Sequence, residues 1–406
     1  MIRSFRARVR HRVVITLSLV LGASACEFDK AAVPATTPRL VIHAVLNPLV
    51  GEYRVLVEEL ATGQIELPDR AGTDSLDPIV SGGGIPVRDA IVRIQGPLTT
   101  ATGVEDASVR SDGKGQGVYR FLNRVPPAFP PPAPQCPSCL PVVRGQRYAL
   151  TVEWRGQTVR GFTTIPVPDR LVVRDFGLQP FNRDRDSLVL VFPTAQLTKR
   201  FALRATTPYG PFLLFSDRDS LRVQGALRNI FARDLPYVFV PGFRQEISTA
   251  AVDTNYFDYY RSSNNPFTGT GLINHLDGAV GLFGSIVPLD VRRLDVSADQ
   301  DEAIEGRYVA ENGSETIELY LGDELGSDRR QVTGSIRTGA ARRGFTGTAS
   351  GGGVLSLAVL RGDYANDTLY VFSGRAVGDI LTGSPPDTPV VTYRRAPRSI
   401  ARTTRR

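Results

Sequence analysis

The chain has 406 residues, a formal net charge of +7, 39 Gly and 29 Pro. This share of turn-forming residues is too low for a collagen-like or low-complexity disordered chain. The length instead predicts a globular protein with two or three domains, each with its own core.

The first 25 residues have the pattern of a secretory signal. Five Arg and no acid lie between Met1 and Arg12, the apolar run from Val13 to Leu21 follows, and small residues lead up to Ala25. The apolar run is about half of the ~20 residues that a transmembrane helix needs. We therefore expect residues 1–25 to be a cleaved leader.

The end of this leader carries a cysteine at the cleavage point. Ala23-Ser24-Ala25-Cys26 resembles a bacterial lipobox, which implies that Cys26 becomes the lipid-modified first residue of the mature chain. The alternative is an ordinary signal peptide that is cut after Ala25. Residues 26–37 are predicted to be a solvated tether, and a fully acylated Cys26 would anchor the protein to a membrane.

The residue after the cysteine helps to decide whether a lipoprotein stays at the inner membrane or moves to the outer membrane. Glu27 stands where some Gram-negative lipoproteins carry the Asp that retains them at the inner membrane. We therefore expect attachment to the outer membrane, and the sequence leaves open whether the protein faces the periplasm or the cell surface.

The positive charge lies at the two ends of the chain. Residues 1–25 hold five Arg, residues 394–406 hold six more, and neither segment contains an acid, so the body between them is acidic overall. Nucleic-acid binding requires basic residues on the folded surface, and it is not expected here. Residues 394–406 are predicted to be a disordered basic tail.

Residues 38–168 alternate between apolar and polar residues in short runs. The clearest run places Tyr148, Leu150, Val152 and Trp154 on one face, and it turns at Gly156 into a second strand. About seven such strands fit an immunoglobulin-like β-sandwich.

Residues 169–298 are predicted to be a less regular β-rich middle region with one short helix. The helix is expected from residue 254 to 261, with a cap near Asp253. Its aromatic residues form either a ligand-stacking face or the seal of a domain interface; the residues of this predicted face are Tyr256, Phe257, Tyr259, Tyr260 and Phe267.

Residues 299–393 again contain short strands, with Gly near their ends, at a spacing of about 8–12 residues. This pattern predicts a small antiparallel barrel or sandwich. The fold class expected for the whole chain is therefore all-β.

Four segments resemble an uncharacterised family of Gram-negative envelope lipoproteins that is often encoded beside TonB-dependent receptors. They are residues 40–48, residues 85–92, the hairpin of residues 147–166, and the pair formed by residues 265–267 and 281–284. The resemblance implies a TonB-dependent outer-membrane receptor as the partner. The family has no established catalytic residues to transfer to this chain.

Apart from Cys26, the only cysteines are Cys136 and Cys139, in a Cys-Pro-Ser-Cys segment rich in proline. In an oxidising envelope a local disulfide is expected, while a redox pair or a zinc site is the alternative. Zinc would need two further ligands, and His43 and His275 are the only histidines after residue 25. No metal site and no cofactor are predicted.

The chain lacks the sequence motifs of serine hydrolases, P-loop proteins and zinc proteases. We therefore expect a non-catalytic, lipid-anchored docking protein. Two alternatives stay open: a hydrolase that uses loop carboxylates, which carry no sequence signature, and a structural or adhesive stalk.

Overall fold

The computed structural model describes most of the chain after the predicted tether; the described residues are 39–60, 85–108, 115–124, 136–168, 172–192, 200–208, 210–228, 237–263, 273–300, 302–326, 328–361 and 367–397. Cys26, the leader, the tether, Phe267 and residues 398–406 lie outside them. The described residues form 24 β-strands and one α-helix of ten residues, so the predicted all-β class is confirmed.

The first nine strands build a two-layered sandwich. They are β1 (Arg39–Leu46), β2 (Glu52–Leu60), β3 (Ile85–Pro86), β4 (Ile91–Gln95), β5 (Thr100–Thr102), β6 (Val104–Glu105), β7 (Val118–Leu122), β8 (Arg147–Trp154) and β9 (Gln157–Thr164). The order β1-β2-β7-β6 faces the order β5-β4-β8-β9. This is the immunoglobulin arrangement in which strands A, B, E and D face strands C′, C, F and G.

Alternation along each strand directs one side into a shared core. Ile42, Val55, Phe121, Val92 and Leu150, which come from both layers, are at most 1% exposed. Tyr148, near the start of β8, is buried. Its hydroxyl donates to the Pro141 carbonyl oxygen and accepts from the Val143 amide, both at 2.8 Å. Such a tyrosine corner is typical of immunoglobulin-like folds and fixes the turn into this strand.

The middle region adds seven strands and the helix. They are β10 (Arg174–Asn182), β11 (Ser187–Val191), β12 (Phe201–Thr207), β13 (Gly210–Ser216), β14 (Ser220–Gln224), β15 (Arg244–Val252), α1 (Thr254–Ser263) and β16 (Ala279–Ser297). The strands β13-β12-β15-β16-β10 form one layer, which shares a hydrophobic core with the β11–β14 ribbon. The sequence predicted a β-rich region with one short helix here, and the structure contains both.

The long strand β16 joins the sandwich to the middle region. Its first part runs parallel to β1, from Ala279 opposite Leu40 to Ser285 opposite Leu46, and its second part pairs with β10 and β15. The two units therefore share one ten-stranded sheet. Gly281 permits the close approach: its φ is +127°, and a Cβ there would lie 1.9 Å from the Ile42 carbonyl oxygen.

The last eight strands close into an antiparallel barrel. They are β17 (Gly306–Ala310), β18 (Glu315–Glu324), β19 (Arg329–Thr338), β20 (Ala341–Ser350), β21 (Val354–Leu360), β22 (Thr368–Val377), β23 (Ile380–Ser384) and β24 (Val391–Arg395). Each strand pairs with its neighbours along the chain, and β24 closes on β17. Large side chains fill the interior, among them Phe345, Phe372 and Tyr393, none of which is exposed.

The predicted start of the basic tail at Arg394 is wrong. Arg394 and Arg395 belong to β24, where the backbone of β24 pairs with β17. The Arg395 guanidinium donates to the Tyr308 hydroxyl at 2.8 Å and to the Gly378 carbonyl oxygen at 3.0 Å. These contacts make Arg395 part of the seam where β24 meets β17.

The barrel packs directly on the middle region. A Cβ at Gly242 would lie 2.3 Å from Gly334, and one at Gly344 would lie 2.2 Å from the Phe243 ring. Such a close approach of two backbones requires glycine. The Arg342 side chain, 5% exposed, binds Asp295 at 3.0 Å across the same contact.

Candidate functional site

The predicted aromatic face lies mostly inside the protein. Tyr256, Phe257 and Tyr259 are 0%, 8% and 9% exposed, and they pack against β12, β15 and β16 residues. Tyr260 is half-buried, and its ring centroid lies 4.6 Å from that of Tyr256. The helix thus uses these rings to cover the shared sheet, and Phe267 lies outside the described residues.

Asp253 caps this helix from a buried position. Its Oδ1 accepts from the Tyr256 amide at 2.9 Å and from the Ser285 amide at 3.1 Å. The sequence predicted the cap, because Asp is a preferred N-cap residue, but not the β9 and β16 residues around it.

The other carboxyl oxygen of Asp253 begins a chain of three polar contacts. Its Oδ2 lies 2.7 Å from Thr163 Oγ1, which lies 3.0 Å from Ser285 Oγ, which lies 2.9 Å from the Thr164 carbonyl oxygen. A protonated carboxyl supplies the third hydrogen that these three contacts need, whereas a carboxylate leaves one contact without a hydrogen. Burial raises the Asp253 pKa to about 6, against the hydrogen bonds that lower it.

The outer face of the β5-β4-β8-β9 sheet is open to solvent. Phe162 and Ile91 are 50% and 42% exposed there. The Arg147 guanidinium carbon lies 4.3 Å from the centroid of the Phe162 ring, a distance typical of a cation–π contact. The β8 strand lies between β4 and β9, and its small residues Ala149 and Thr151 lie in the middle of the face.

Basic residues predominate on this face. Arg93 pairs with Glu153 at 3.1 Å, and Arg160 projects beside them, opposite Thr151 in the register. Together with Arg147, the face carries three arginines and one glutamate. An aromatic ring among arginines has the composition that is enriched in protein interfaces.

The structure joins Cys136 and Cys139 in a disulfide. Cys139 is 1% exposed, whereas Cys136 is half-buried. Arg124 contacts both sulfurs: its Nε lies 3.1 Å from Cys139 Sγ and its Nη2 lies 3.7 Å from Cys136 Sγ. Sequence reasoning missed Arg124, because its position depends on where β7 ends and gives no signal in the residue spacing.

The two histidines, and the carboxylates Asp299 and Glu302, each contact a different partner. His275 lies 3.0 Å from Asp258 on the helix, and His43 lies beside the Tyr259 ring. Asp299 binds Arg185, and Glu302 binds Arg330. Within the described ranges, no three His, Cys, Asp or Glu side chains are arranged to hold a metal ion.

One carboxylate among those described has a raised pKa, namely Asp253, and it lies in the core. The described part of the chain also contains no helix that is both long and apolar enough to cross a membrane.

No protein-family model and no curated protein matches the chain. A calcium-stabilised adhesin with which an Antarctic bacterium binds ice is 9% identical, covering 89% of this chain and 91% of its own, with a TM-score of 0.16. A second bacterial ice-binding adhesin is 8% identical, covering 88% and 98%, with a TM-score of 0.15. Neither TM-score is high enough to establish a shared fold.

Proposed function

We propose that this protein is a non-catalytic docking protein, attached by lipid at Cys26 to the outer membrane, and that its partner is a TonB-dependent outer-membrane receptor. The lipobox resemblance supports the anchor, and the four segments similar to envelope lipoproteins support the partner.

The length of the tether fits this role. Twelve residues separate Cys26 from Arg39, where β1 begins. A fully extended chain of this length spans at most about 40 Å. A lipid on Cys26 would therefore keep the sandwich within that distance of the bilayer, close enough to contact the soluble side of a membrane receptor.

The observation that carries the docking proposal is the outer face of the β5-β4-β8-β9 sheet. A half-exposed Phe162 stacked with Arg147 supplies a rigid apolar anchor beside positive charge. Aromatic and arginine side chains dominate the binding energy of protein interfaces. The surface that fits this face is an acidic patch with an apolar centre on the receptor, because opposite charges steer and orient the two partners.

The test is affinity isolation of the lipidated protein from envelope membranes, compared between the wild type and Phe162→Ala. Wild type is expected to recover a TonB-dependent receptor, and the variant to recover at least about tenfold less, as for an interface hot spot. Val189→Ala is the matched control, because Val189 is also about half exposed (51%) but lies on β11 of the middle region.

Two results would contradict the proposal. One is recovery of no receptor or other envelope protein with wild type; the other is equal recovery with Phe162→Ala and wild type. A Cys26→Ala variant separates the two parts of the proposal, since it removes the anchor and leaves the sheet face unchanged.

A further inference from the structure

The two cysteines of the disulfide are unequally accessible. Cys136 is half-buried and Pro137 beside it is exposed, whereas Cys139 is 1% exposed. An external thiolate can therefore approach the bond from the Cys136 side, and Cys139 is shielded from direct attack. Thiol–disulfide exchange depends on which sulfur is attacked and on its access.

Arg124 is placed to stabilise the negative charge that such an attack would leave on a cysteine sulfur. Its guanidinium lies 3.1 Å from Cys139 Sγ and 3.7 Å from Cys136 Sγ. A positive group at these distances favours a thiolate over a thiol. The effect is largest at Cys139, because a buried charge is screened less by water than an exposed one.

The loop is held in place by hydrogen bonds that do not depend on the disulfide. The Leu122 amide donates to Ser138 O and the Leu140 amide donates to Leu122 O, both at 2.9 Å. The Thr102 amide donates to Pro137 O at 2.7 Å. The bond itself closes a short ring with a sequence separation of 3, so it removes less chain entropy from the unfolded state than a long-range disulfide does. The bond can therefore open while the loop keeps its place.

We propose that Cys136 and Cys139 form a dithiol–disulfide exchange site in which Arg124 stabilises the leaving thiolate, with an external dithiol as the co-reactant. This activity goes beyond the docking role and does not depend on it.

The exchange proceeds in two displacements. A thiolate of the dithiol attacks Cys136 Sγ, the bond between the two cysteine sulfurs breaks, and its electron pair goes to Cys139 Sγ beside Arg124. The second thiolate of the dithiol then attacks the dithiol sulfur that is bonded to Cys136, and it displaces Cys136 Sγ. Both cysteines take up protons from solvent. The dithiol loses two electrons and becomes a disulfide, and the Cys136–Cys139 pair is reduced.

The test uses the full chain with an excess of dithiothreitol at neutral pH under native conditions. Free thiols are alkylated at successive times, and mass spectrometry follows the peptide that contains Cys136 and Cys139 separately from that of Cys26. Arg124→Gln is expected to slow reduction about threefold to tenfold, since a leaving thiolate of higher pKa departs more slowly.

A second readout is the pH dependence of alkylation of the reduced protein. Its midpoint is expected to move up by about one pH unit in Arg124→Gln, which loses the neighbouring positive charge. Arg124→Lys retains that charge and is expected to stay within about twofold of the wild-type rate. Arg120→Gln is the matched control for net charge, because Arg120 lies nearby on β7 and binds Asp106 instead.

Three outcomes would overturn the proposal. In the first, Arg124→Gln and wild type agree in both the rate and the alkylation midpoint. In the second, Arg124→Lys is as slow as Arg124→Gln although both are folded by circular dichroism. In the third, dithiothreitol reduces the wild-type disulfide only after the protein has been unfolded.

Discussion

The barrel and the two units before it are both built from short strands, but they depend on contacts at very different separations along the chain. Each strand from β17 to β23 pairs with the next one, and a single pairing, β24 with β17, closes the circle. The sandwich and the middle region instead share a sheet through β1 and β16, which are more than 230 residues apart. The first construction is encoded locally, and the second depends on pairings between strands that are far apart in the sequence.

The largest expected effect of this difference is at Gly281. An Ala there would place a Cβ 1.9 Å from the Ile42 carbonyl oxygen at a φ of +127°. Because neither backbone can move without breaking the β1–β16 pairing, we expect Gly281→Ala to lower the free energy of unfolding of these two units by about 4 kcal/mol. Urea unfolding would measure the loss.

Gly339→Ala in the barrel is the matched control. Gly339 also has a positive φ, +59°, but a Cβ there meets nothing within 4 Å, so the expected loss is about 1 kcal/mol. Equal losses for the two variants would show that the close approach of β1 and β16 does not stabilise the shared sheet.

A pH dependence is expected next, from Asp253 in the same shared region. Its native pKa of about 6 lies above the ordinary 3.8, so the folded protein holds the proton more tightly than the unfolded chain. The stabilisation by this group is complete below pH 3.8 and is lost as the pH rises through 6. The difference corresponds to about 3 kcal/mol.

Asp253→Asn isolates this contribution. An amide can donate to Thr163 and still accept from the Tyr256 and Ser285 amides, so the variant should fold and lose this part of the pH dependence. Urea midpoints of both proteins between pH 4 and pH 7.5 give the comparison. A wild-type stability that falls no faster than that of the variant over this range would contradict the raised pKa.

A smaller effect is expected inside the barrel, at Tyr393. Its hydroxyl donates to Glu315 Oε2 at 2.5 Å, and Thr338 donates to the other oxygen of Glu315 at 2.8 Å. Tyr393→Phe removes one hydrogen bond to a charged group, so we expect a loss of about 2 kcal/mol. Hydrogen exchange should increase in β17 and β24 and stay unchanged in β1 and β16. An increase in all four strands would show that the barrel and the shared sheet unfold as one unit.

The smallest effect is expected for an exposed ion pair of the barrel. Arg361 and Asp367 lie 3.0 Å apart, and their side chains are 64% and 67% exposed. Because water screens both charges, Arg361→Gln should change the free energy of unfolding by less than about 0.5 kcal/mol. A loss above 1 kcal/mol, measured by thermal unfolding, would show that this pair is coupled to other groups.

The same contrast explains what the sequence could predict. The barrel strands were predictable, because short strands with Gly near their ends at a regular spacing are a local signal. The helix and its Asp253 cap were predictable for the same reason. By contrast, the pairing of β16 with β1 was not predictable, since nothing in residues 279–285 indicates that β1 is their partner or that the strand continues to Ser297.

For the candidate sites as well, the sequence predicted the local features but not the contacts between distant segments. The spacing of Cys136 and Cys139 predicts a local disulfide, which the structure contains. Arg124 could not be assigned to it, because its contact with the sulfurs arises where the end of β7 meets the loop. The aromatic residues of the helix could be recognised as a cluster, but only the packing of β12, β15 and β16 shows that most of them are buried.

The proposed function depends on attachment of the protein to a membrane through Cys26, and this attachment can be tested by the mass of the N-terminal peptide of the protein isolated from envelope membranes. We expect this peptide to begin at Cys26 and to carry the added mass of a lipid on its sulfur. A peptide that begins at Cys26 with a free thiol, or one that continues through Ala25 without cleavage, would contradict it.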